Sequence, residues 1–484
     1  MLNLIFIAWF LRLLANIISY TQLWYVKEYR WDRMFIHLGT KQGKMILFPP
    51  FRRPPVSPKS VILSTLLILF VVAILALLRI NIFFRFILAD LSIFPFSFIL
   101  VFLLKVPTFI CHRLKIAQAR DKLTGHKRMT VIGITGSFGK TSTKECLATI
   151  LAGKYKVLKT EASKNSAIGI AEAVLTNLRP DHEVFIAEMG AYRKGEIKEM
   201  AGMVKPQIGI VTAINPQHQD LFKTIKTTMQ AKYELVTGLT GKKIAIFNAD
   251  NEPVRQMADW AVKQRFSVWP VGHLARKIAK ADDCFEIKDI VGDMSGIAFK
   301  LTYKNETLAV RAPVLGEHLA TNISLAIAGA VAAGMSFKEA AAVAGDIQPF
   351  VKTMQPVPGI NGSLFINDTF NNNPDAALAA LHFLAKTRGR KFLVFQPMIE
   401  LGNYAQKSHE QVGEKAGEIC DEIILTNSNF LGYFLAGTKK APRQTKVNVM
   451  SAGSASAYLR SRLKKGDTVL FKGKEAENVL RRLI

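Results

Sequence analysis

The sequence predicts an α/β protein with a membrane-spanning N-terminal region, and three observations support this fold class. Three long apolar segments come first in the chain. From residue 129 onward, short apolar runs alternate with helical patterns, as in a mostly parallel sheet covered by helices. After a PVPG segment at 356–359, a second and shorter alternation follows. We expect a membrane region at 1–128, a central phosphate-loop ATPase-type domain at 129–357, and a smaller Rossmann-like domain at 358–484.

The apolar segments occupy residues 2–19, 61–78 and 86–104, and about three transmembrane helices are expected from them. The second segment has no charged residue over 18 positions. At about 1.5 Å per residue, a helix of this length is just long enough to cross the bilayer core. The first segment carries only Arg12 and the third carries only Asp90. A buried core helix is a reasonable alternative for 2–19 and a poor one for 61–78.

The charge distribution predicts which side of the membrane the chain faces. The net charge is +27, and residues 1–128 hold 18 Lys and Arg against 4 Asp and Glu. The loop 26–60 carries eight basic and two acidic residues, so the positive-inside rule places it in the cytoplasm. With three spans, everything after residue 105 faces the cytoplasm as well. The protein is therefore expected in the cytoplasmic membrane, with its α/β domains on the cytoplasmic side.

Two classes of partner or site are disfavoured by composition. The basic excess is densest among apolar segments, which favours a membrane surface over nucleic acid. The later part lacks the interleaved basic and aromatic residues of a nucleic-acid-binding protein, so no nucleic acid partner is expected. The four cysteines are far apart with no CxxC pair, which predicts neither a zinc site nor a disulfide framework.

Residues 133–145, GITGSFGKTSTKE, predict a phosphate-binding loop. The strict motif fails because Ile134 stands where its first glycine belongs, but the shorter T-G-x-x-G-K-[ST] is present. An apolar run precedes the loop and a helical pattern, 141–152, follows it. Backbone amides at the helix start would face a phosphate, Lys140 would reach the β- and γ-phosphates, and the Thr141 hydroxyl would reach Mg²⁺. The alternative is an ordinary turn with a surface lysine.

Other polar residues follow the predicted strands at their carboxyl ends, where ligands bind in parallel sheets. Glu188 follows one run, Asn215 with the nearby His218 follows the next, and Asn248 with Asp250 follows a third. Residues 283–312 instead alternate with charged turns, which predicts an inserted antiparallel ribbon within the central domain.

A long series of ordered motifs resembles the Mur ligase family, the ATP-dependent amide-forming enzymes of peptidoglycan synthesis, over roughly 130–484. The motifs are TGSFGKTSTKE, KNSAIGI (164–170), EMGAYRKGEI (188–197), INPQHQD (214–220), AKYELV (231–236), FNADNE (247–252), GEHLATNISLA (316–326), VPG (357–359), NDTFNNNP (367–374), IELG (399–402), HEQVGE (409–414) and FKGK (471–474). The resemblance implies a ligase that makes an acyl phosphate from ATP and a carboxylate, and then an amide from an incoming amine.

Within the family, the motifs are most similar to those of the ligase that adds D-alanyl-D-alanine to UDP-N-acetylmuramoyl-tripeptide. The implied partners are therefore a nucleotide-activated or lipid-linked muropeptide acid and a dipeptide or amino acid amine. Alternatives are a Mur-type ligase for a lipid-linked or different carboxylate, and a membrane scaffold that binds nucleotide without catalysis.

The resemblance also assigns roles to individual residues. ATP would contact Gly136, Ser137, Gly139, Lys140, Thr141, Ser142, Asn248, Asn322 and Asp368. Mg²⁺ would be held by Thr141, Glu188 and His218. The catalytic set would be Lys140, His218 and Lys232, and the substrates would meet Asn165, Asn371 and Asn373. In relatives, the lysine at position 232 is often carbamylated by CO₂. The alternative for Lys232 is a helix lysine paired with a nearby carboxylate.

The chain departs from the family pattern at several places. Ile360 replaces the arginine that usually follows V-P-G and commonly contacts ATP. Differences also occur at Glu317 and Leu319, at Gln396 and Pro397, and at Lys474. The largest departure is at the N-terminus, where membrane segments replace a soluble domain that holds the UDP end of the substrate. The UDP-sugar could be held differently, the substrate could be lipid-linked, or a partner protein could supply the missing domain.

Overall fold

The computed structural model describes residues 2–39, 43, 46–47, 49–161, 164–215, 222–399, 401–443 and 445–484. The chain forms two compact units, Met1–Leu114 and Lys115–Ile484. The predicted domain limits at 128 and 357 remain predictions.

The first unit is helical. The helices of this part of the chain are α1 (Leu2–Val26), α2 (Trp31–Leu38), α3 (Pro58–Leu77) and α4 (Ile82–Thr124). By length and composition α1, α3 and α4 could each cross a membrane, which agrees with the three apolar segments of the sequence. However, α4 extends well beyond the predicted 86–104 and contains Pro95 and Pro107 in its interior. Proline removes one backbone hydrogen bond without ending the helix here, as is tolerated in transmembrane helices.

The single charges of the first and third apolar segments pair with each other. Arg12 Nη2 lies 2.8 Å from Asp90 Oδ2, and Asn16 Nδ2 donates to Asp90 Oδ1 at 3.3 Å. Further along the same two helices, Trp24 Nε1 donates to Ser97 Oγ at 2.8 Å. Ionisable side chains are costly in an apolar medium unless they are paired, so these contacts hold α1 against α4 in register.

The second unit contains a nine-stranded sheet with the strand order β2-β3-β1-β4-β5-β6-β7-β8-β9. The strands are β1 (Thr130–Thr135), β2 (Val157–Lys159), β3 (Val184–Glu188), β4 (Ile208–Val211), β5 (Ile244–Asn248), β6 (Ser267–Gly272), β7 (Phe285–Asp293), β8 (Gly296–Tyr303) and β9 (Glu306–Ala312). The sheet is parallel from β2 to β7, and β7, β8 and β9 pair antiparallel. The residues of the predicted ribbon thus continue the main sheet beyond β6.

Helices cover this sheet because its strands are buried on both faces. They are α5 (Lys140–Ala152), α6 (Ala167–Asn177), α7 (Glu196–Val204), α8 (Ile225–Thr237), α9 (Glu252–Lys263), α10 (Leu319–Ala332) and α11 (Phe337–Val343). The alanine-rich α10 is buried along almost its whole length and packs in one core with apolar residues of α5 and the strands. Small side chains allow this close approach of α10 to the sheet.

A six-stranded sheet follows, with the order β10-β11-β15-β12-β13-β14. Its strands are β10 (Gln355–Pro358), β11 (Leu364–Asp368), β12 (Lys391–Phe395), β13 (Glu422–Leu425), β14 (Lys446–Val449) and β15 (Thr468–Lys472). Its helices are α12 (Pro374–Ala385), α13 (Ala405–Ile419), α14 (Leu431–Thr438), α15 (Ala452–Arg462) and α16 (Lys474–Leu480). Only β10 is antiparallel to its neighbour. The observed α/β class, with a mostly parallel main sheet and a second smaller sheet, confirms the prediction.

Candidate active site

The loop between β1 and α5 is bent tightly by two glycines. Gly136 has φ +151°, and a Cβ there would lie 2.1 Å from Thr212 Oγ1. Gly139 caps α5 with φ +80°, and a Cβ there would lie 2.8 Å from Asn322 Oδ1. The Thr212 hydroxyl donates to the carbonyl of Phe138 at 2.6 Å, and this hydrogen bond holds the loop backbone in place. The loop therefore has the conformation that the glycine positions predict, despite Ile134.

Lys140 lies folded over its own loop. Its Nζ donates to the carbonyls of Gly136 at 2.8 Å and Ser137 at 3.0 Å. Burial lowers the pKa of Lys140, and the nearby Glu188 partly opposes this effect. Two carbonyl contacts hold the ammonium at the loop, where a phosphate oxygen can replace them.

Glu188, at the end of β3, is the centre of a buried polar cluster. It is 2 % exposed, and the Thr141 hydroxyl lies 3.1 Å from both of its carboxylate oxygens. Asn165 Nδ2 donates to Oε1 at 3.3 Å. Lys144 Nζ, on a fully buried side chain, lies 3.3 Å from Oε2. Lys144 was not predicted, because a lysine four residues after Lys140 has the sequence pattern of an exposed helix face.

Two of the three expected magnesium ligands, Thr141 and Glu188, are therefore in contact. Both present oxygen atoms, the ligand type that Mg²⁺ prefers, so the cluster fits this ion. The third, His218, lies outside the described residues. Within the described ranges, no group of three or more His, Cys, Asp or Glu side chains could hold a metal by itself.

Lys232, on α8, is buried at 4 % exposure beside the same loop. Its Nζ donates to the carbonyl of Ala191 at 3.4 Å. A cavity of about 40 Å³ adjoins it, lined also by Lys140 and Asn165. Burial lowers the pKa of Lys232 to about 7, and the positive charge of Lys140 adds to this, against the opposing effect of two glutamates.

A larger cleft of about 480 Å³ begins at the phosphate loop. Eight of the predicted site residues line this cleft: Gly139, Lys140, Thr141, Ser142, Asn322, Asp368, Asn371 and Asn373. Asn248 is not among the lining residues. It sits at the end of β5, where its side-chain oxygen accepts from the backbone N–H of Asp250 at 3.0 Å. Gly136, Ser137 and Asn165 line the small cavity next to Lys232 instead.

Asp368 ends β11 and is neutralised inside the cleft. Lys472 Nζ, at the end of the adjacent β15, donates to Asp368 Oδ2 at 2.6 Å, and both residues are buried. His318 lines the same cleft, and burial lowers its pKa to about 4. Lys472 was given no role from the sequence, although it lies in the FKGK motif at the end of the last apolar run.

A polar contact links the loop after β4 of the first sheet to the start of α12, which follows β11 of the second sheet. Asn215 Nδ2, after β4, donates to Asn373 Oδ1 at 3.1 Å and to Asp375 Oδ2 at 3.1 Å. Asn373 in turn caps α12 by accepting from the N–H of Ala376. Asn215 was expected at the ligand-binding edge of the sheet but was given no role. Asp375 was not predicted, since an aspartate in the first turn of a helix is ordinarily explained by the helix dipole.

Of the departures from the family pattern, Leu319 lines the cleft, whereas Ile360 lies outside it. Ile360 is partly buried and packs on the core of the second sheet, and it does not line the cleft.

The ring of His409 is fully buried. Its Nε2 accepts from the N–H of Met398, and its Nδ1 contacts the carbonyl of Ala405. It therefore fixes the segment after β12 as a neutral imidazole with its proton on Nδ1.

Fold and site together define an α/β protein with a glycine-rich β1–α5 loop and a cleft lined by residues of both sheets' domains. Comparison with known protein families shows which family within this class the chain matches. Residues 134–330 match the Mur ligase middle domain, and residues 354–475 match the Mur ligase, glutamate ligase domain. The chain belongs to the Mur ligase family.

Individual relatives agree with this assignment. The chain is 30% identical over 368 residues to the UDP-N-acetylmuramoyl-tripeptide--D-alanyl-D-alanine ligase of Synechocystis sp., covering 75% of each chain. It is 25% identical to the ligase of that name from Bacillus subtilis, covering 73% of this chain and 76% of the relative. Among solved structures, MurF from Acinetobacter baumannii superposes with a TM-score of 0.69 at 24% identity, covering 77% of this chain and 80% of the other. That likeness supports the fold.

Proposed function

We propose that this chain is an ATP-dependent peptide ligase that adds D-alanyl-D-alanine to UDP-N-acetylmuramoyl-tripeptide, with release of ADP and phosphate. The observation that carries the proposal is the cleft that joins the phosphate loop at Lys140 to Asp368 on β11 and to Asn373 at the start of α12. The ligases of this name from Synechocystis sp. and Bacillus subtilis support the choice of substrates.

The reaction would begin with transfer of the γ-phosphoryl group to the tripeptide carboxylate. This step requires charge neutralisation and alignment more than covalent participation by the protein. Lys140 would exchange its two carbonyl contacts for the triphosphate, while the loop amides at the start of α5 bind the same anion. The amine then attacks the acyl phosphate, the C–N bond forms, and phosphate leaves with the electrons of the C–O bond.

Thr141, Glu188 and His218 would hold Mg²⁺, and Asn165 and Lys144 would fix the Glu188 carboxylate between them. When bound, the ion would supply positive charge for the phosphoryl oxygens. Asn322, packed against Gly139, and Asp368 would hold the nucleotide. Asn371 and Asn373 would line the amine side of the cleft.

Lys232 is proposed to carry a carbamate. The neutral amine adds to CO₂, an N–C bond forms, and one proton is released to solvent. An ordinary lysine is almost entirely protonated at neutral pH, but a pKa of about 7 leaves a substantial neutral fraction. The adjoining cavity of about 40 Å³ exceeds the space that one water molecule needs, roughly 10–15 Å³. The carbamate would then place an anion beside Lys140, where a bare ammonium repels that lysine.

We also propose that the protein is anchored in the cytoplasmic membrane with its α/β domains in the cytoplasm. The three long apolar helices and the basic loop 26–60 support this. An anchored ligase could instead act on a lipid-linked acid, or a partner protein could supply a UDP-binding domain.

The test is ADP release by the full-length protein in lipid nanodiscs, with a panel of acids and amines. UDP-linked and lipid-linked tripeptide acids are compared, each with D-alanyl-D-alanine, D-alanine or no amine. The proposal predicts the highest turnover for the UDP-linked acid with the dipeptide. Preference for the lipid-linked acid would favour the alternative substrate, and absence of ADP release with every acid would favour a nucleotide-binding scaffold.

A further inference from the structure

The cleft contains one carboxylate that no cation neutralises among the described residues. Three carboxylates line the cleft: Glu145, Asp368 and Asp375. Glu145 forms ion pairs with Lys144 and Lys159, and Asp368 forms one with Lys472. Asp375 instead accepts a hydrogen bond from the neutral amide of Asn215 at 3.1 Å.

The amide of Asn215 fixes the position of this carboxylate. Its Nδ2 donates to acceptors on both Asn373 and Asp375, so the orientation of the amide is determined by its partners. The other end of the same amide, Asn215 Oδ1, is buried and has no hydrogen-bond partner in the described part of the chain. The carboxylate that this amide fixes, Asp375, lines the cleft and carries its negative charge there without a cationic partner among the described residues.

We propose that Asp375 binds the ammonium group of the incoming amine and accepts a proton from it. The inference rests on the proposed function and identifies the residue that activates the nucleophile. The substrate amine enters as R–NH₃⁺, which complements the uncompensated carboxylate and cannot attack until it loses a proton. Asn215 acts as the positioning residue for Asp375. The walls of the cleft raise the pKa of Asp375, although the Asn215 hydrogen bond opposes this, and a raised pKa favours proton transfer to it.

Asp375 and the departing phosphate accept the protons and the electron pair that the reaction releases. The ammonium gives one proton to Asp375, and the free amine attacks the acyl carbon to form the C–N bond. The C–O bond to phosphate breaks and its electron pair leaves with the phosphate. The second proton lost by nitrogen goes to the departing phosphate, so one amide, one hydrogen phosphate and a protonated Asp375 result. Asp375 then loses its proton to solvent.

The test compares two nucleophiles with the full-length Asp375→Asn protein. D-Alanyl-D-alanine must be deprotonated, whereas hydroxylamine is largely neutral at neutral pH and traps acyl phosphates directly. We expect dipeptide ligation to fall by about 10²–10⁴, the range for loss of a general base, while hydroxamate formation stays at the wild-type rate. Asp375→Glu should restore part of the dipeptide activity. Asp259→Asn, at an exposed aspartate on α9, is the matched control and should change neither rate.

Two outcomes would overturn the proposal. Equal loss with both nucleophiles would mean that Asp375 supports the ATP half-reaction or the fold, and unchanged dipeptide ligation would mean that it does not activate the amine. A wild-type protein that forms neither the amide nor the hydroxamate would instead contradict the proposed function itself, so the two failures are distinguishable.

Discussion

At the scale of single residues, the buried lysines of the site differ in what surrounds them. Lys144 lies 3.3 Å from two carboxylates, and Lys472 lies 2.6 Å from one. Among the described residues, neither Lys140 nor Lys232 forms an ion pair with a carboxylate: Lys140 donates to backbone carbonyls, and Lys232 donates to the Ala191 carbonyl and lies 5.9 Å from the centre of the Phe222 ring. Lysines without a carboxylate partner can accept an anion or lose a proton at little cost. This difference separates the two proposed catalytic lysines from the two that hold Glu188 and Asp368 in place.

Replacing Lys140 by alanine should strongly impair the ATP half-reaction. The side chain would contact the transferring phosphoryl group, and loss of one such contact typically costs ~3–4 kcal/mol, or about 10²–10³ in rate. The measurement is ADP release under saturating substrates, with Lys263→Ala, an exposed lysine on α9, as control. ADP release by Lys140→Ala at the rate of the control would exclude a phosphate-binding role for this loop.

The Lys232 proposal predicts a dependence on CO₂ and pH. Because the pKa is about 7, the neutral amine increases as pH rises through 7 and is lost below it. At a fixed, limiting CO₂ concentration, activity should therefore fall steeply below about pH 7, and added bicarbonate should restore it. Lys232→Ala should be nearly inactive and partly restored by short carboxylates, whereas Lys226→Ala, exposed on the same helix, should behave as wild type.

A carbamate at Lys232 would also give a distinct ¹³C NMR signal in protein equilibrated with ¹³C-bicarbonate. A fully active enzyme that shows no such signal would exclude the modification. The contacts of Lys232 with the Ala191 carbonyl and the Phe222 ring would then be the better explanation of its burial.

At the scale of elements, the strand–loop–helix unit at β1 and α5 requires glycine at position 136. An alanine there would place its Cβ 2.1 Å from Thr212 Oγ1 and 3.0 Å from backbone atoms of Ala213, at a positive φ. We expect Gly136→Ala to weaken ADP binding and to lower the melting temperature. Gly202→Ala is the matched control, since a Cβ there meets nothing within 4 Å, and in helix α7 it should stabilise by about 0.5–1 kcal/mol. If both variants bound ADP equally, the loop conformation would not depend on this glycine.

The elements themselves could largely be predicted from sequence. Apolar runs of β-branched residues gave β1, β3, β4 and β5, because strands buried on both faces have a continuous apolar pattern. The full length of α4 could not be predicted, since Pro95 and Pro107 ordinarily indicate a helix end. In the site, Glu188 was found through its strand end. Lys144 and Asp375 could not be found from the sequence, because their roles depend on contacts between segments that are distant in the chain.

At the scale of the whole molecule, the orientation in the membrane is a prediction from charge. Residues 1–128 carry an excess of basic over acidic residues, most of it shared between the loop 26–60 and the segment 105–128. Reporter fusions after residue 50 and after residue 120 should both indicate the cytoplasm, and a fusion near residue 80 should indicate the outside. An external signal after residue 120 would separate the nucleotide cleft from cytoplasmic ATP and contradict the three-span topology.

The most direct test of the central claim is product analysis with the full-length protein in nanodiscs. It is given ATP, Mg²⁺, UDP-N-acetylmuramoyl-tripeptide and D-alanyl-D-alanine, and the products are identified by mass spectrometry. The account predicts UDP-N-acetylmuramoyl-pentapeptide and ADP in equal amounts, with neither product formed at a comparable rate by Lys140→Ala. ADP without pentapeptide, or pentapeptide formation unaffected by Lys140→Ala, would contradict it.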